Sequence, residues 1–542
     1  MSDIPSSFRT ALPSEQCPQA GSLSGLPFDG RSARHGAVTG AIASPAAGHP
    51  YRRSGWLGLS MLALLLGCSA AGSGDASTVE GGASATPEGG VQIIRSPVSV
   101  KSCTAMLAKQ VGHTLKSINP KAEERAGVPD LPRPGKGVAA ADPVYGNCVV
   151  RVTDHAAEPP VGFARHDYSR RQAFNADGSR ILIGSNDGTW HLYDGRTFKY
   201  LEKLHGPAGD AELHWHPTDP DVLYFQPANG LGMKLYALNV RNGNVREVAD
   251  FTDRLRAIWP GAAAAWTKAE GAPSADGRYW CFMVDDSAWQ SLGVFAWDMK
   301  EDRILGRMDT HGDRPDHVSM SPGGRRCVVS GDTEGVGTRA WTRDFSSYTT
   351  LHHKSEHSDL AVDAQGRDVY VSIDYQSPGG DVFMTDLETG KRTPLFKTYL
   401  DHSSTAMHFS GRAFRQPGWV LVSTYAADGK REWLHEKLMA VSLSAHPQIK
   451  GLAYHHTAYN GYWTEPQATV NPDFTRVLFN SNWGSRSDTD IDNYMVVLPG
   501  GALNADGAGS AAGMKGSGAA PVSKPGPART GAPASAPREG GA

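Results

Sequence analysis

The 542-residue sequence has no surplus of charge of either sign: 53 Lys and Arg stand against 56 Asp and Glu, a formal net charge of −3. Without a basic excess or a basic run, the electrostatic footprint of a nucleic-acid-binding protein is missing. Cysteine is scarce, at six residues, and none falls in a CxxC pair or a zinc-ribbon spacing, which removes the disulfide-dense scaffolds and the compact zinc modules. No uncharged apolar run reaches the roughly 20 residues that a membrane-spanning helix needs. HExxH and GxSxG are absent, so a zincin helix and a nucleophile elbow drop out as well. Wholesale disorder is excluded by the opposite observation: 39% of the residues are hydrophobic and 13 are Trp, enough to fill a sizeable core.

What is present begins with an export signal. Arg52-Arg53 precede an apolar run from Gly55 to Leu66, which ends in Gly67-Cys68 and then Ser69-Ala70-Ala71. A basic start, about a dozen apolar residues and small residues after them read as a secretory signal. A buried core helix is the competing reading, but the Gly/Ser-rich segment that follows offers it nothing to pack on. The tetrad Leu65-Leu66-Gly67-Cys68 resembles the lipobox of bacterial lipoproteins. That resemblance implies cleavage before Cys68, lipidation of this cysteine, and attachment to a membrane of the bacterial cell envelope. The signal starts late, after an aperiodic stretch of 50 residues, and a translation start at Val38 accounts for this. With Cys17 and Cys68 set aside, four cysteines remain. Cys103 and Cys148 flank a loop-rich stretch and are candidates for one disulfide. Cys281 and Cys327 sit in apolar, strand-like runs and read as buried small hydrophobes.

The body of the chain repeats. An apolar stretch leads into a turn and then a β-rich run, as in Asn175-Ala176-Asp177-Gly178, Pro217-Thr218-Asp219-Pro220, Ser274-Ala275-Asp276-Gly277, Ser321-Pro322-Gly323-Gly324, Asp363-Ala364-Gln365-Gly366, Gln416-Pro417-Gly418 and Asn471-Pro472-Asp473. Asp-Gly, Pro-Gly and Asp-Pro turns between β-branched and aromatic runs are hairpin signals. Anchored on Asp177, Asp219, Asp276, Gly323, Gln365, Pro417 and Asp473, the spacings are 42, 57, 47, 42, 52 and 56 residues. A period near 40–50 residues with about four strands is that of a β-propeller blade. The fold class expected is therefore all-β, a seven-bladed β-propeller with disordered N- and C-terminal tails. The last blade reads as three strands, and the spare strand from Cys148 to Val152 is expected to pair outside it and close the ring. The expected layout is a pre-sequence and signal at 1–67, a flexible tether at 68–91, an irregular segment at 92–141, the propeller at 142–499 and a low-complexity tail at 500–542.

The inner strand of every blade starts at one mouth of the central channel, so residues just ahead of the anchors converge there. These include His166, Tyr168, Arg170 and Arg171 in blade 1, Glu212 and His214 in blade 2, and Arg256 and Trp259 in blade 3. Asp316 and His317 follow in blade 4, His357 and Asp359 in blade 5, His402 and His408 in blade 6, and Trp463, Glu465 and Gln467 in blade 7. One histidine ahead of an inner strand usually ties backbone between blades. Histidines in several blades, joined by Arg and Tyr, point also to a divalent metal or to proton abstraction beside a carboxylate.

The blocks Asp142-Pro143-Val144-Tyr145-Gly146, His166-Asp167-Tyr168-Ser169-Arg170, His214-Trp215-His216-Pro217-Thr218-Asp219-Pro220 and Tyr462-Trp463-Thr464-Glu465-Pro466-Gln467 resemble those of bacterial seven-bladed propellers, a group that includes oligogalacturonate lyase and the ulvan lyases. TolB-type propellers share the turns. The resemblance implies a polysaccharide lyase that cleaves uronate-containing glycans by β-elimination. His166, His214, Tyr168 and Arg171 would be catalytic, and Arg170, Arg256, Trp259, His317, Trp463 and Glu465 would bind substrate. His357, His402, His408 and Gln467 would be the ligands of a divalent metal. The alternative expectation is a non-catalytic envelope propeller, TolB- or WD40-like, that binds proteins or glycans. The partners expected are thus an acidic polysaccharide or an envelope protein, and a membrane through Cys68, but no nucleic acid.

Overall fold

The structure, a computed structural model, describes residues 103, 105, 114–120 and 127–504. All of them belong to the compact unit Arg95–Ala542. The signal, Cys68, the tether and most of the C-terminal tail lie outside the described residues.

Seven antiparallel sheets stand around an axis, so the chain folds as a seven-bladed β-propeller. Blade 1 pairs Arg180–Gly184, Trp190–Asp194 and Tyr200–Lys203. Its inner strand is irregular and is joined only by bridges at Arg165/Gly184 and Phe174/Ile181. Blades 2 to 6 are four-stranded and open with the inner strands Leu213–Trp215, Ala262–Trp266, His317–Met320, Ser358–Val362 and Ser403–Ser410. Blade 7 holds Thr469–Val470, Arg476–Ser481 and Asp492–Val497, and Cys148–Arg151 pairs on its outside as the sequence anticipates. Ala139–Ala141 adds a fifth strand beyond that. The packed chain continues past 500 as far as Leu503, which is 6% exposed within the core between blades 6 and 7.

The recurrent turn has one physical basis. In Asn175–Gly178, Ser274–Gly277, Ser321–Gly324 and Asp363–Gly366, the last residue donates its N–H to the first carbonyl with positive φ. Glycine adopts that conformation without penalty. In blade 7 the same place is taken by Phe474, at φ 55°, and the Asn471 side chain accepts from the amides of Thr475 and Arg476 at 2.9 Å each.

The core is divided among the clefts between blades. Seven apolar clusters each straddle one pair of neighbours, for example Tyr224, Phe251, Trp280, Phe282 and Trp297 between blades 2 and 3. Middle strands are covered on both faces, as the wholly buried Asp492–Val497 and Asp368–Asp374 show, whereas the outer strand Arg392–Lys397 keeps exposed positions.

Both cysteine pairs are disulfides. Cys103–Cys148 ties the N-terminal segment to the closing strand. Cys281–Cys327 joins the second strands of blades 3 and 4, which corrects the reading of these two as unpaired hydrophobes. Burial in the cleft is common to both descriptions, and the facing second strands bring the Cα atoms to 5.7 Å, within bridging range. Closing a loop of this length is worth on the order of 4 kcal/mol. The Cys281→Ala/Cys327→Ala double variant is expected to melt several degrees below the parent by calorimetry, and thiol titration of the unfolded, unreduced chain should count neither cysteine as free. Two reactive thiols at these positions would refute the pairing.

Candidate functional site

The axis is filled by two insertions in the inner strands. In blade 1 the chain needs nine steps to pass from Arg165 to Phe174, while its partner covers Gly184 to Ile181 in three. The excess loops inward and carries Tyr168, Arg170 and Arg171. In blade 3, residues 267–271 leave the ladder between Trp266, which pairs with Met283, and Ser274, whose amide donates to Tyr279. Lys268 and Ala269 take positive φ there, at 58° and 64°. The buried Glu212 carboxylate holds this loop by accepting from the amides of Thr267 (2.9 Å) and Ala269 (2.5 Å). Gly271 lies against blade 4 so closely that a Cβ would sit 1.8 Å from the Val318 carbonyl oxygen.

The insertions meet. Arg170 Nη1 lies 2.8 Å from Glu270 Oε2 and donates to His317 Nε2 at 2.5 Å. Arg171 donates to His214 Nε2 at 2.7 Å and to the Ala269 carbonyl at 3.1 Å. The space beside Arg170, Glu270, His317 and Tyr370 is a cavity of about 10 Å³, room for a water molecule and no more.

A second group lies where blades 5, 6 and 7 meet the axis. The His357 and His408 rings are 4.4 Å apart, and His408 stacks on Tyr425 at 4.6 Å. The Tyr425 hydroxyl shares a 3.1 Å hydrogen bond with His357 Nδ1, and Tyr168 meets His408 edge-on at 5.2 Å. His408 Nε2 is 3.3 Å from Glu465 Oε2, and neither of its ring nitrogens makes a hydrogen bond of good geometry. Burial pushes the His357 imidazole down to about 4. Burial, and then His357, Arg170 and Arg165, push His408 well below its ordinary value. Both rings are therefore neutral at pH 7. Burial holds the Tyr168 and Tyr425 phenols well above theirs, so both keep their protons.

This pocket of neutral imidazoles and phenols leads outward to aromatic side chains at the surface. Tyr459, 45% exposed, sits 5.9 Å from Tyr425. Trp463, 41% exposed, has the Arg165 guanidinium 5.0 Å from its ring centre. Arg165 also donates to Gln467 Oε1.

The residues expected from the sequence therefore fall into four sets. Tyr168, Arg170, Arg171, His214 and His317 do converge on the axis, and His357, His408, Trp463, Glu465 and Gln467 form the adjoining group. His166 is spent on the seam between blades 1 and 7: Nε2 donates to the Gln467 carbonyl at 2.6 Å, and Nδ1 faces Asn493 Oδ1 at 3.0 Å. No ring nitrogen of His166 is left for a substrate. Three others are not brought in. Arg256 is exposed on helix α1 (Thr252–Ile258) and donates to the Ala262 carbonyl. Trp259 packs on Gly293 of blade 3 and donates to Asp309 at 2.7 Å. His402 is exposed ahead of the inner strand of blade 6, six residues and so roughly 20 Å from His408. The expected metal set is thus not assembled, because His402 is remote and the Gln467 oxygen is held by Arg165. Arg165, Tyr425, Tyr459 and Glu270 join the site without having been singled out in the sequence. Arg165 adjoins His166, and Tyr425 lies on a second strand, where inner-strand reading does not look.

No family model matches the chain, and no curated protein does. The fold and site define a propeller with a plugged, imidazole- and arginine-lined axis. Among solved structures the chain is similar to an oligogalacturonate lyase in complex with manganese, at 15% identity over 67% of this chain and 96% of that one, with a TM-score of 0.49. It is also similar to oligogalacturonate lyase from Vibrio parahaemolyticus (14% identity, 67% and 96% covered, TM-score 0.48) and to hydrazine synthase from Kuenenia stuttgartiensis (15%, 61% and 96%, TM-score 0.40).

Burial of neutral imidazoles has a measurable consequence. Burial drives His166, His352, His357, His435 and His456 to about 4, and His455 to about 3. The unfolded chain, with His near 6.5, takes up protons first as pH falls, so this stability is complete above pH 6.5 and is lost between about 6.5 and 4. The ring NMR signals of these histidines should therefore stay at the neutral-imidazole position from pH 7 to 5.5. Ring signals that titrate near pH 6.5 would contradict the burial.

Proposed function

We propose that the chain is an exported, lipid-anchored propeller of the bacterial envelope that cleaves a uronate-containing glycan by β-elimination beside the axis. One observation carries this reading: a buried, neutral imidazole without good hydrogen bonds, His408, sits between two protonated phenols and within electrostatic reach of Arg165 and Arg170.

The chemistry assigned to these groups is simple. Arg165, with Arg170 behind it, offsets the charge of the substrate carboxylate and so makes the adjacent C5 proton more acidic. Neutral His408 takes that proton. The C5–H electron pair forms the C4=C5 double bond, the C4–O bond breaks, and a phenol of Tyr425 or Tyr168 protonates the leaving oxygen. Tyr459 and Trp463 offer faces on which sugar rings stack. The lipobox at Leu65–Cys68 supports the envelope location.

His408→Ala and Tyr425→Phe are expected to lower kcat for release of unsaturated uronate by about 10²-fold or more each, and Arg165→Ala to raise KM. Because burial holds the His408 imidazole well below its ordinary value, kcat/KM should show no acid limb near pH 6.5. A His408→Ala variant as active as the parent would remove the assignment.

A second reading, a non-catalytic propeller that captures envelope glycans or proteins, is favoured by the small axial cavity and by the pairing of Arg170 and Arg171 within the protein. A folded chain that releases no unsaturated product from any polyuronate, yet binds one in a Trp463-dependent manner, would decide for it.

A further inference from the structure

Among the described residues, three groups of imidazole and carboxylate side chains bring their ligand atoms within 4.8 Å of one another. Two are already satisfied by cations of the protein. Asp492, beside His155 and Asp490, receives Arg133 and Arg151 at 2.6 Å each. Glu270, beside Asp316 and His317, receives Arg170 at 2.8 Å, and Lys268 lies 3.4 Å from Asp316.

The third, His352, His353 and Asp374, differs in holding an orphaned atom. The outer strand of blade 4, Tyr348–His352, ends at the first of two consecutive histidines, with His353 just beyond it, and Asp374 ends the second strand of blade 5, Asp368–Asp374. The His352 side chain is fully buried, and its Nδ1 faces the carbonyl and amide of Lys354 at 3.0 and 3.1 Å. In either tautomer its Nε2 has no hydrogen-bond partner, although it lies 3.7 Å from Asp374 Oδ2. When Nδ1–H donates to the Lys354 carbonyl, Nε2 presents a bare lone pair. That is the backbone-anchored arrangement of a metal-bound histidine.

The other two ligands complete a face. His353 Nε2 lies 3.8 Å from Asp374 Oδ1, with its side chain 55% exposed, and the two rings are 4.4 Å apart. Asp374 Oδ1 accepts from the amides of Gln376 and Ser377 at 3.2 and 3.1 Å, and Oδ2 from Arg392 at 2.9 Å. The carboxylate is thus oriented in advance. Ligand atoms about 2.0–2.1 Å from a tetrahedral ion lie roughly 3.3 Å apart, and the candidate atoms here lie within 4.8 Å of one another, so a contraction of about 1.5 Å at most brings all three to one centre. The exposed side at His353 leaves a position for water.

We propose that His352, His353 and Asp374 bind a borderline divalent cation, Zn²⁺ above all, in a site that bridges blades 4 and 5 and is separate from the axial group. Two imidazoles and one carboxylate select such an ion over Ca²⁺ or Mg²⁺, which prefer all-oxygen shells. Arg392 is the internal competitor for the carboxylate.

The test is zinc titration of the full-length, tag-free chain by calorimetry, with thermal melting alongside. The parent is expected to bind one zinc ion that is lost or at least tenfold weaker in His353→Ala and in Asp374→Asn, and to melt higher with zinc than without. Exposed His353 can be removed without disturbing the core, so the comparison does not depend on a destabilised variant. Arg392→Gln should tighten binding several-fold, a change opposite in sign to that from loss of a merely structural ion pair. Parent protein that takes up no zinc at 100 µM, or uptake equal in the parent and His353→Ala, would overturn the proposal.

Discussion

The architecture depends on one pairing across the length of the chain: Cys148–Arg151 against Asp492–Val497. Each cleft between blades is a core only when both neighbours are present, so an open ring would leave a hydrophobic face and an unpaired strand edge in water. The closing pair is reinforced around Asp492. That buried carboxylate accepts from Arg133, Arg151, Thr153 and the backbone and ring of His155. His166, hydrogen-bonded to Gln467 and Asn493, fastens the same seam from inside.

Within the closed ring, burial decides the character of the axis. Insertions in blades 1 and 3 bring charged side chains into a space that excludes water, and nearly all of them find a partner there, as buried ions must. Arg170 lies between Glu270 and His317, and Arg412 holds Asp359. His214, His357 and His408 lose their protons in this setting, because burial disfavours the charged ring. His408 is the member of the group left with a free lone pair and no good hydrogen bond, next to phenols that stay protonated. That imbalance lies on the side of blades 5 to 7, toward Tyr459 and Trp463.

Much of this was legible in the sequence because propeller repeats are local. The Asp-Gly and Pro-Gly turns demand positive φ at one place in most blades, and that demand shows as a period. The closing strand was legible as a β-rich run with no hairpin partner of its own. The axial set was legible in part: Arg170, Arg171, His214 and His317 converge because the inner strands all start at one mouth. Arg256 and His402 show the limit, since a helical turn and six residues of extended strand carry them off to the rim. Tyr425 and Arg165 were hidden for another reason. Their roles come from a second strand and from an inward insertion, and period alone registers neither. Cys281 and Cys327 looked like isolated small hydrophobes until neighbouring blades set their strands face to face.

Because the first strand of the ring and its last are hydrogen-bonded neighbours in one sheet, the order in which the blades are translated matters less than their cyclic order. The covalent break in the circle is a seam whose position the packing does not require. A short peptide bridging Val497 to Cys148, with new ends opened in a polar turn such as that at Gly366, describes a rearranged gene for the same object. The packing of blade strand on blade strand would be kept, with only the flanking residues such as Leu503 and Cys103 lost from the clefts beside blade 7, and the axis would be built from the same side chains read in a different order.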